Sequence, residues 1–364
     1  MSHQENSPIS ITPGAIRFNT DSMKLEYFRI GMEGGTTSSY AGIGTLAAGE
    51  WVQITTDSPD IQTGGARGCI AGGYSAPTAP AEIDYITIST TGNTQNFGNL
   101  TASRYGITQA SDRTRGVFAG GRNDPTPAAS MTTIDYITIS STGNAISFGS
   151  LSTASAAGTR GTLSNSTRGI FAGVENGTNT NTISYITIQS TGTPQDFGDL
   201  ITASGGRGQC CSSTRGICGG TSGSTGYTNI IEFITISTLG NSADFGDFIT
   251  SCGNSSAVSN STRGVFACGT TPTSPSGIGS NILEFITIAT LGNAIDFGDL
   301  SDTRRSKGGM CSSTRGVFVA GADPWINIME YITIMSTGNA IDFGDLDRNA
   351  EAPGALSNGH GGLG

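Results

Sequence analysis

Histidine is nearly absent from this sequence: His3 and His360 are the only two in 364 residues. Both stand near the ends of the chain, where disorder is the default expectation. No Ser-His-Asp or Cys-His nucleophile pair can be assembled from the repeats described below, nor a histidine-bearing zinc or copper site. Charge is scarce too, at 13% of residues, and 18 Lys+Arg against 28 Asp+Glu leave a formal net charge of −10. There is no cationic surplus to neutralise phosphates, which excludes general nucleic-acid binding. No apolar run approaches the roughly 20 residues of a membrane span, and the polar start from Met1 to Ser7 has no secretory apolar core. Membrane insertion is therefore not expected. Ala, Leu, Glu and Lys fall short of the bulk a helical bundle needs, and helical periodicity appears nowhere.

What the chain does have is glycine, 55 residues in all, roughly twice ordinary usage, and a repeat. One unit opens with Arg115-Gly116-Val117-Phe118-Ala119-Gly120-Gly121, continues Ile134-Asp135-Tyr136-Ile137-Thr138-Ile139, and ends Thr142-Gly143-Asn144-Ala145-Ile146-Ser147-Phe148-Gly149. Its Arg-Gly start recurs at Arg67, Arg115, Arg168, Arg215, Arg263 and Arg315, with spacings of 48, 53, 47, 48 and 52 residues. A period near 50 suits one blade of a β-propeller. Each unit reads as four short strands: one before Arg-Gly, the apolar run ended by the glycines, the β-branched and aromatic Ile134 to Ile139 type, and one carrying a phenylalanine. The third strand is apolar on both faces, as required where blades stack around an axis. Gly-Asn between the last two strands marks a tight hairpin.

Ala355-Leu356-Ser357-Asn358 copies Thr162-Leu163-Ser164-Asn165, an internal first strand, whereas the unit starting at Arg67 lacks one. The C-terminal strand, 354–358, is thus expected to complete the N-terminal blade and close six blades into a ring without exposed sheet edges. The predicted fold is all-β: a small N-terminal β module over 1–60, a six-bladed propeller of four-stranded antiparallel blades over 61–358, and a tail over 359–364.

The unit resembles the kelch repeat, an apolar strand ending in Gly-Gly followed by aromatics in the next two strands. Gly72-Gly73, Gly120-Gly121 and Gly219-Gly220 read as doublets; Tyr85, Tyr136, Tyr185, Phe233, Phe285 and Tyr331 are the first aromatic; Phe97, Phe148, Phe197, Phe245, Phe297 and Phe343 stand where kelch has tryptophan. The histidine ligands of copper oxidases with that fold have no counterpart, and the resemblance fixes no function. In the first 60 residues, Ala15 to Thr20 and Met23 to Phe28 read as a hairpin, with Glu50 to Ile54 a third strand. That string resembles a small module of structural proteins of tailed bacteriophages, especially tail fibres and baseplate parts. The near-identical, Lys-poor copies resemble phage virion proteins as well.

Seven cysteines in odd number, several replacing Ile, Phe or Ala inside strands, read as buried thiols of a reducing compartment. The last strand carries Asp196 with Asp199, Asp244 with Asp247, Asp296 with Asp299 and Asp342 with Asp345. These could serve as calcium ligands, but structural use against turn amides or the repeat arginines is the stronger reading, since two blades lack them. The six repeat arginines are expected to tie blades together. No metal or cofactor and no enzyme activity is expected.

Two connections vary freely between copies: the one after the glycines and the one joining blades. Both should emerge on one face of the ring, the expected arrangement for recognition. The candidate contact residues there are Tyr74, Tyr105, Arg122, Tyr227, Arg304, Arg305 and Trp325, because aromatics and Arg anchor interfaces. Ile16, Phe18, Leu25, Tyr27 and Trp51 are the candidates for attachment to other virion proteins. The expectation is a non-enzymatic virion protein of a tailed phage, assembled in the host cytoplasm. It would be a tail fibre or tail-associated component displaying a propeller toward protein or a host-surface glycan; a homo-oligomer is open to it, and fibre-like attachment would favour a trimer. The alternatives are a capsid-decorating protein and a free-standing kelch-like protein- or carbohydrate-binding module.

Overall fold

Six copies of one strand pattern fold into six sheets. A computed structural model describes residues 15–19, 24–30, 49–53, 66–123, 129–155, 160–173, 178–223, 226–272 and 279–363. The chain divides into two compact units, Met1–Ser58 and Pro59–Gly364. In the first, Ile16–Asn19, Lys24–Ile30 and Gly49–Gln53 form an antiparallel three-stranded sheet, in that order. The connection between the two strands of the expected hairpin, Asp21-Ser22, lies outside the described residues, as does His3.

The second unit is a six-bladed β-propeller. We letter the strands of each blade A, innermost, to D, outermost. Blade 2 shows the plan: A is Thr108–Ser111, B Arg115–Ala119, C Met131–Thr138 and D Ile146–Ser155, each antiparallel to the next. Blades 4, 5 and 6 repeat it with A strands Gly208–Cys211, Ser256–Ser259 and Gly308–Cys311. Blade 3 pairs B, C and D as a sheet, and its A segment joins through a single bridge, Ser164 to Gly169. In blade 1 the A strand is Gly354–Ser357, paired in register with Arg67–Ala71. The last strand of the chain therefore closes the ring, as the copied tetrapeptide predicts.

The reason for the two-sided apolar strands is visible in the core. Among the described residues the core is divided into six clusters, each between consecutive blades. Leu356 packs with Cys69, Ile107, Phe118 and Ile137 between blades 1 and 2, and Ala355 with Met310 and Val319 between blades 6 and 1. Within every blade the C-strand aromatic meets the D-strand phenylalanine edge-on, at 6.1–6.2 Å between centroids, a favoured geometry for aromatic pairs.

Three belts run around the ring. Each repeat arginine lies over its own C-strand aromatic at 4.1–4.6 Å and donates from Nη1 to a carbonyl at the end of the next blade's C strand: Arg67 to Ile139, and so on to Arg315, which reaches Ile88 of blade 1. The arginines thus tie blades together as expected, through carbonyls. A second belt joins each C–D hairpin to the preceding D strand, from Gly143 N–H on Phe97 O around to Gly92 N–H on Phe343 O. The third lies at the axis. Ser164 Oγ donates to Ser111 O (2.8 Å), Cys211 Sγ to Ser164 O (3.2 Å), Ser259 Oγ to Cys211 O (2.9 Å), Ser259 N–H reaches Cys311 Sγ (3.3 Å), Ser357 Oγ donates to Cys311 O, and Ser111 Oγ closes the circle on Ser357 O (2.8 Å).

Three expectations are corrected. The tail expected over 359–364 is packed in its described residues, 359–363: His360 is 2% exposed and Gly361–Leu363 form a buried 3-10 turn against the inner strands. His360 Nε2 lies 2.9 Å from Ser111 O and its Nδ1 accepts from Gly362 N–H, while Arg113 donates to Leu363 O. Glycine is needed there for close approach, since a Cβ on Gly362 would stand 1.7 Å from Ser164 O. Second, Gly219-Gly220 is not a doublet of the blade 1 and 2 kind. Gly219 pairs with Ile231 inside the B strand, where blade 2 has Ala119 paired with Ile134, and only Gly220 takes the left-handed backbone. The third concerns Arg304 and belongs to the site.

Candidate binding site

The two variable connections do leave on the same face, because they pair with each other. Tyr74, after the blade 1 glycines, exchanges backbone hydrogen bonds with Glu351 of the linker entering that blade; Tyr105 does so with Arg122, Gly253 with Thr270, and Arg305 with Ala322. The opposite face carries the A–B turns and C–D hairpins. These touch there, as where the Gln189 side chain meets Asp112 and Thr114.

On the variable face, three of the seven candidates form one aromatic cluster. Tyr74 and Tyr105 have ring centroids 5.2 Å apart, and Tyr74 meets Trp325 edge-on at 5.5 Å. Trp325 is 43% exposed. Its indole N–H donates to Glu351 Oε2 at 3.3 Å, and Glu351 Oε1 accepts from Arg305 at 2.6 Å. Arg305 also pairs with Asp323. Burial pulls the Arg305 guanidinium down, but Glu351 and Asp323 outweigh it and hold it above its ordinary range. Arg122 joins through its backbone pairing with Tyr105. Five candidates therefore gather where blades 6, 1 and 2 meet.

Two do not. Tyr227 stands opposite Ser222 on the extended B–C arm of blade 4, half-buried. Arg304 is the correction: it is 0% exposed and paired to Glu330 at 2.5 Å, inside the protein and not on the face. Adjacent linker residues point in opposite directions, so Arg305 faces out and Arg304 in. In the N-terminal sheet, Ile16 stands opposite Tyr27 and Phe18 opposite Leu25, while Trp51 stands opposite Phe28. Trp51 is thus out of register with the other four attachment candidates.

No protein-family model matches the chain, and no curated protein matches it.

Arg304 belongs to a device the sequence reading missed. The second residue of the C-strand motif is an acid in five blades, Asp84, Asp135, Glu232, Glu284 and Glu330, each at most 1% exposed. Each faces the linker arriving from the preceding blade. Asp135 accepts from Thr101 N–H and Oγ1 and pairs with Arg104 at 2.9 Å. Glu232 takes Ile201 and Thr202 N–H and Arg207; Glu284 takes Ile249 and Thr250 N–H; Glu330 takes Ser301 N–H and Arg304; Asp84 takes Arg348. The signal was present: an acid recurring inside a strand apolar on both faces must be buried, and a buried carboxylate needs donors. Asp323 and Glu351, missed as well, carried no such signal.

The D-strand aspartates are exposed or half-buried, and the blade contact beside them is made by backbone: Asp199 N–H donates to Asn241 Oδ1 and Asp247 N–H to Asn293 Oδ1, both at 3.0 Å. Among the described residues no group of three His, Cys, Asp or Glu side chains is placed to hold a metal ion. All seven cysteines are free and buried, and burial pushes the Cys69 thiol up to about 12, away from reactive thiolate chemistry.

Proposed function

We propose that the protein is a non-enzymatic structural virion protein of a tailed phage, a tail fibre or tail-associated component that displays its propeller toward protein or a host-surface glycan. One observation carries the display half of this reading. The freely varying loops and linkers pair with one another on a single face of a ring whose other contacts are uniform from blade to blade. A rigid scaffold with its variation gathered on one side is the form expected of a recognition surface. The kelch-like strand pattern supports the scaffold role. The virion half rests on the likeness of the first 60 residues to phage structural modules and on the separate three-stranded sheet they build, which suits attachment to other virion proteins. Many copies on one particle would bind by avidity with weak single sites. Mass spectrometry of purified particles tests the assignment: the chain should be a stoichiometric component, and its absence from particles that are otherwise complete would end the virion reading.

A further inference from the structure

We infer that the shelf formed by Tyr74, Tyr105 and Trp325 is a carbohydrate subsite for a neutral sugar, with the Glu351 and Asp323 carboxylates as acceptors for its hydroxyl groups. This rests on the display reading above and deepens it by naming the site and the ligand class.

The shelf is assembled from three separate connections. Tyr74 follows the glycines of blade 1, Tyr105 lies in the linker from blade 1 to blade 2, and Trp325 lies in the B–C connection of blade 6. Each is held by backbone pairing or ring contact, so the surface is preorganised and binding costs little ordering of side chains. Three ligand classes compete for an aromatic cluster beside charged groups, and the geometry separates them. A quaternary ammonium needs rings spaced around it, within about 6 Å of each centroid; here the rings touch, at 5.2 and 5.5 Å, so nothing fits between them. Inclined at 49° and 76°, they pack on one another and leave the exposed Trp325 ring as the open face. An acidic sugar needs a free cation beside the rings. Arg305, the arginine bonded into the Trp325 and Glu351 group, is already held by two carboxylates, Asp323 and Glu351, and Arg122 lies on the far side of Tyr105 through their backbone pairing. Arg305, Asp323 and Glu351 together carry one negative charge in excess beside Trp325, on a chain of net charge −10, which disfavours an anion there. A neutral hexose or N-acetylhexosamine has what remains: an apolar C–H face to lie against the exposed Trp325 ring, and hydroxyls to donate to carboxylate lone pairs that Arg305 and the indole leave open.

The test is saturation-transfer NMR on the full-length chain with methyl β-glucoside, methyl β-galactoside and N-acetylglucosamine as neutral probes, and N-acetylneuraminic acid as the acidic one. At least one neutral probe should show transfer strongest at its ring C–H protons. Trp325→Ala should weaken it by at least about tenfold, the scale of a central aromatic anchor, with Trp325→Phe retaining part and with the melting temperature of both variants unchanged. Transfer only from the acidic probe, none from any probe, or transfer from a neutral probe that survives Trp325→Ala would each overturn the assignment. A separate measurement, adsorption of the purified chain to host cells, distinguishes the two proposals. Adsorption that persists in Trp325→Ala leaves the display reading standing while sinking this site, whereas no adsorption by the parent chain counts against display itself.

Discussion

Closing a ring with the last strand of the chain concentrates its stability where an ordinary terminus would carry none. Gly354–Ser357 supplies the A strand of blade 1, pairing with Arg67–Ala71, and Asn358 Oδ1 accepts from Arg67 N–H at 2.8 Å. Leu356 is fully buried, and its methyl groups fill the space above Gly116 of the neighbouring blade, where a Cβ would come within 2.8 Å of them. Its isobutyl group is therefore a wedge between two blades, and little around it can collapse inward. Leu→Ala in a core costs about 2–5 kcal/mol, more where the site cannot relax, so Leu356→Ala should cost about 4 kcal/mol. Ile146, of similar size but 59% exposed on a D strand, is the control, and Ile146→Ala should cost less than about 1 kcal/mol.

Deleting everything from Gly354 onward removes this wedge, the Ala355 contacts, four backbone pairings and two hydrogen bonds of the axial belt, both made by Ser357. The loss is roughly 6 kcal/mol or more, comparable with the whole net stability of a domain, about 5–15 kcal/mol. It also leaves Arg67–Ala71 as an unpaired edge. Denaturant unfolding followed by circular dichroism should show Leu356→Ala folded with a lowered midpoint. The chain ending at Pro353 should lose its cooperative transition or aggregate. A truncated chain whose melting temperature falls by less than about 3 °C, equivalent to about 1 kcal/mol, would refute the closure argument.

Burial pushes the His360 imidazole down to about 4 from 6.5, against the pull of Ser111 O and Asp112 and with a further push from Arg113. The unfolded chain therefore takes up the proton first. Stability from this residue is complete above about pH 6.5 and is lost as the pH falls toward 4, by about 3 kcal/mol in all. The difference in unfolding free energy between the parent and His360→Gln, measured at pH 7.5 and 4.5, should shrink accordingly, and a pH-independent difference would contradict it. Glu330→Ala leaves Arg304 buried without its partner and should cost about 3–5 kcal/mol, while the double change Glu330→Leu with Arg304→Met should recover most of that; equal losses in denaturant midpoint would argue otherwise. Gly72→Ala places a Cβ 2.1 Å from Arg104 O at a φ of +60° and should destabilise by about 2–4 kcal/mol, whereas Ala320→Gly, at φ +55° in blade 6, should gain about 1 kcal/mol in the same assay.

Most of the ring was legible because most copies repeat their turn chemistry together with their strand pattern. The Gly-Asn hairpin, the Arg-Gly start and the paired aromatics fix four strands per unit, and the copied tetrapeptide fixes where the circle closes. What was not legible depended on which way a side chain points or on approach between distant backbones. The D-strand aspartates drew notice by their number, yet they sit on the outer strands near water, while the acids holding the linkers hid among isoleucines. The 359–364 segment read as a tail from its place near the chain end, and composition cannot distinguish a glycine used for freedom from one used for contact. Of the neighbours Arg304 and Arg305, the sequence offers nothing to say which turns inward.

The variable face can vary for a physical reason. Its loops and linkers are joined by backbone N–H and C=O groups, at Tyr74 with Glu351, Tyr105 with Arg122 and Arg305 with Ala322, and such pairing makes no demand on side-chain identity. In five of the six blades the linker is also anchored from beneath, by a buried carboxylate belonging to the blade it enters. Side chains above that anchor can change without loosening the loop that carries them. The opposite face has no such freedom, since there the guanidinium of each repeat arginine must reach a carbonyl of the next blade across a fixed aromatic ring. Rigidity on one side and tolerance on the other follow from whether backbone or side chain makes the contact.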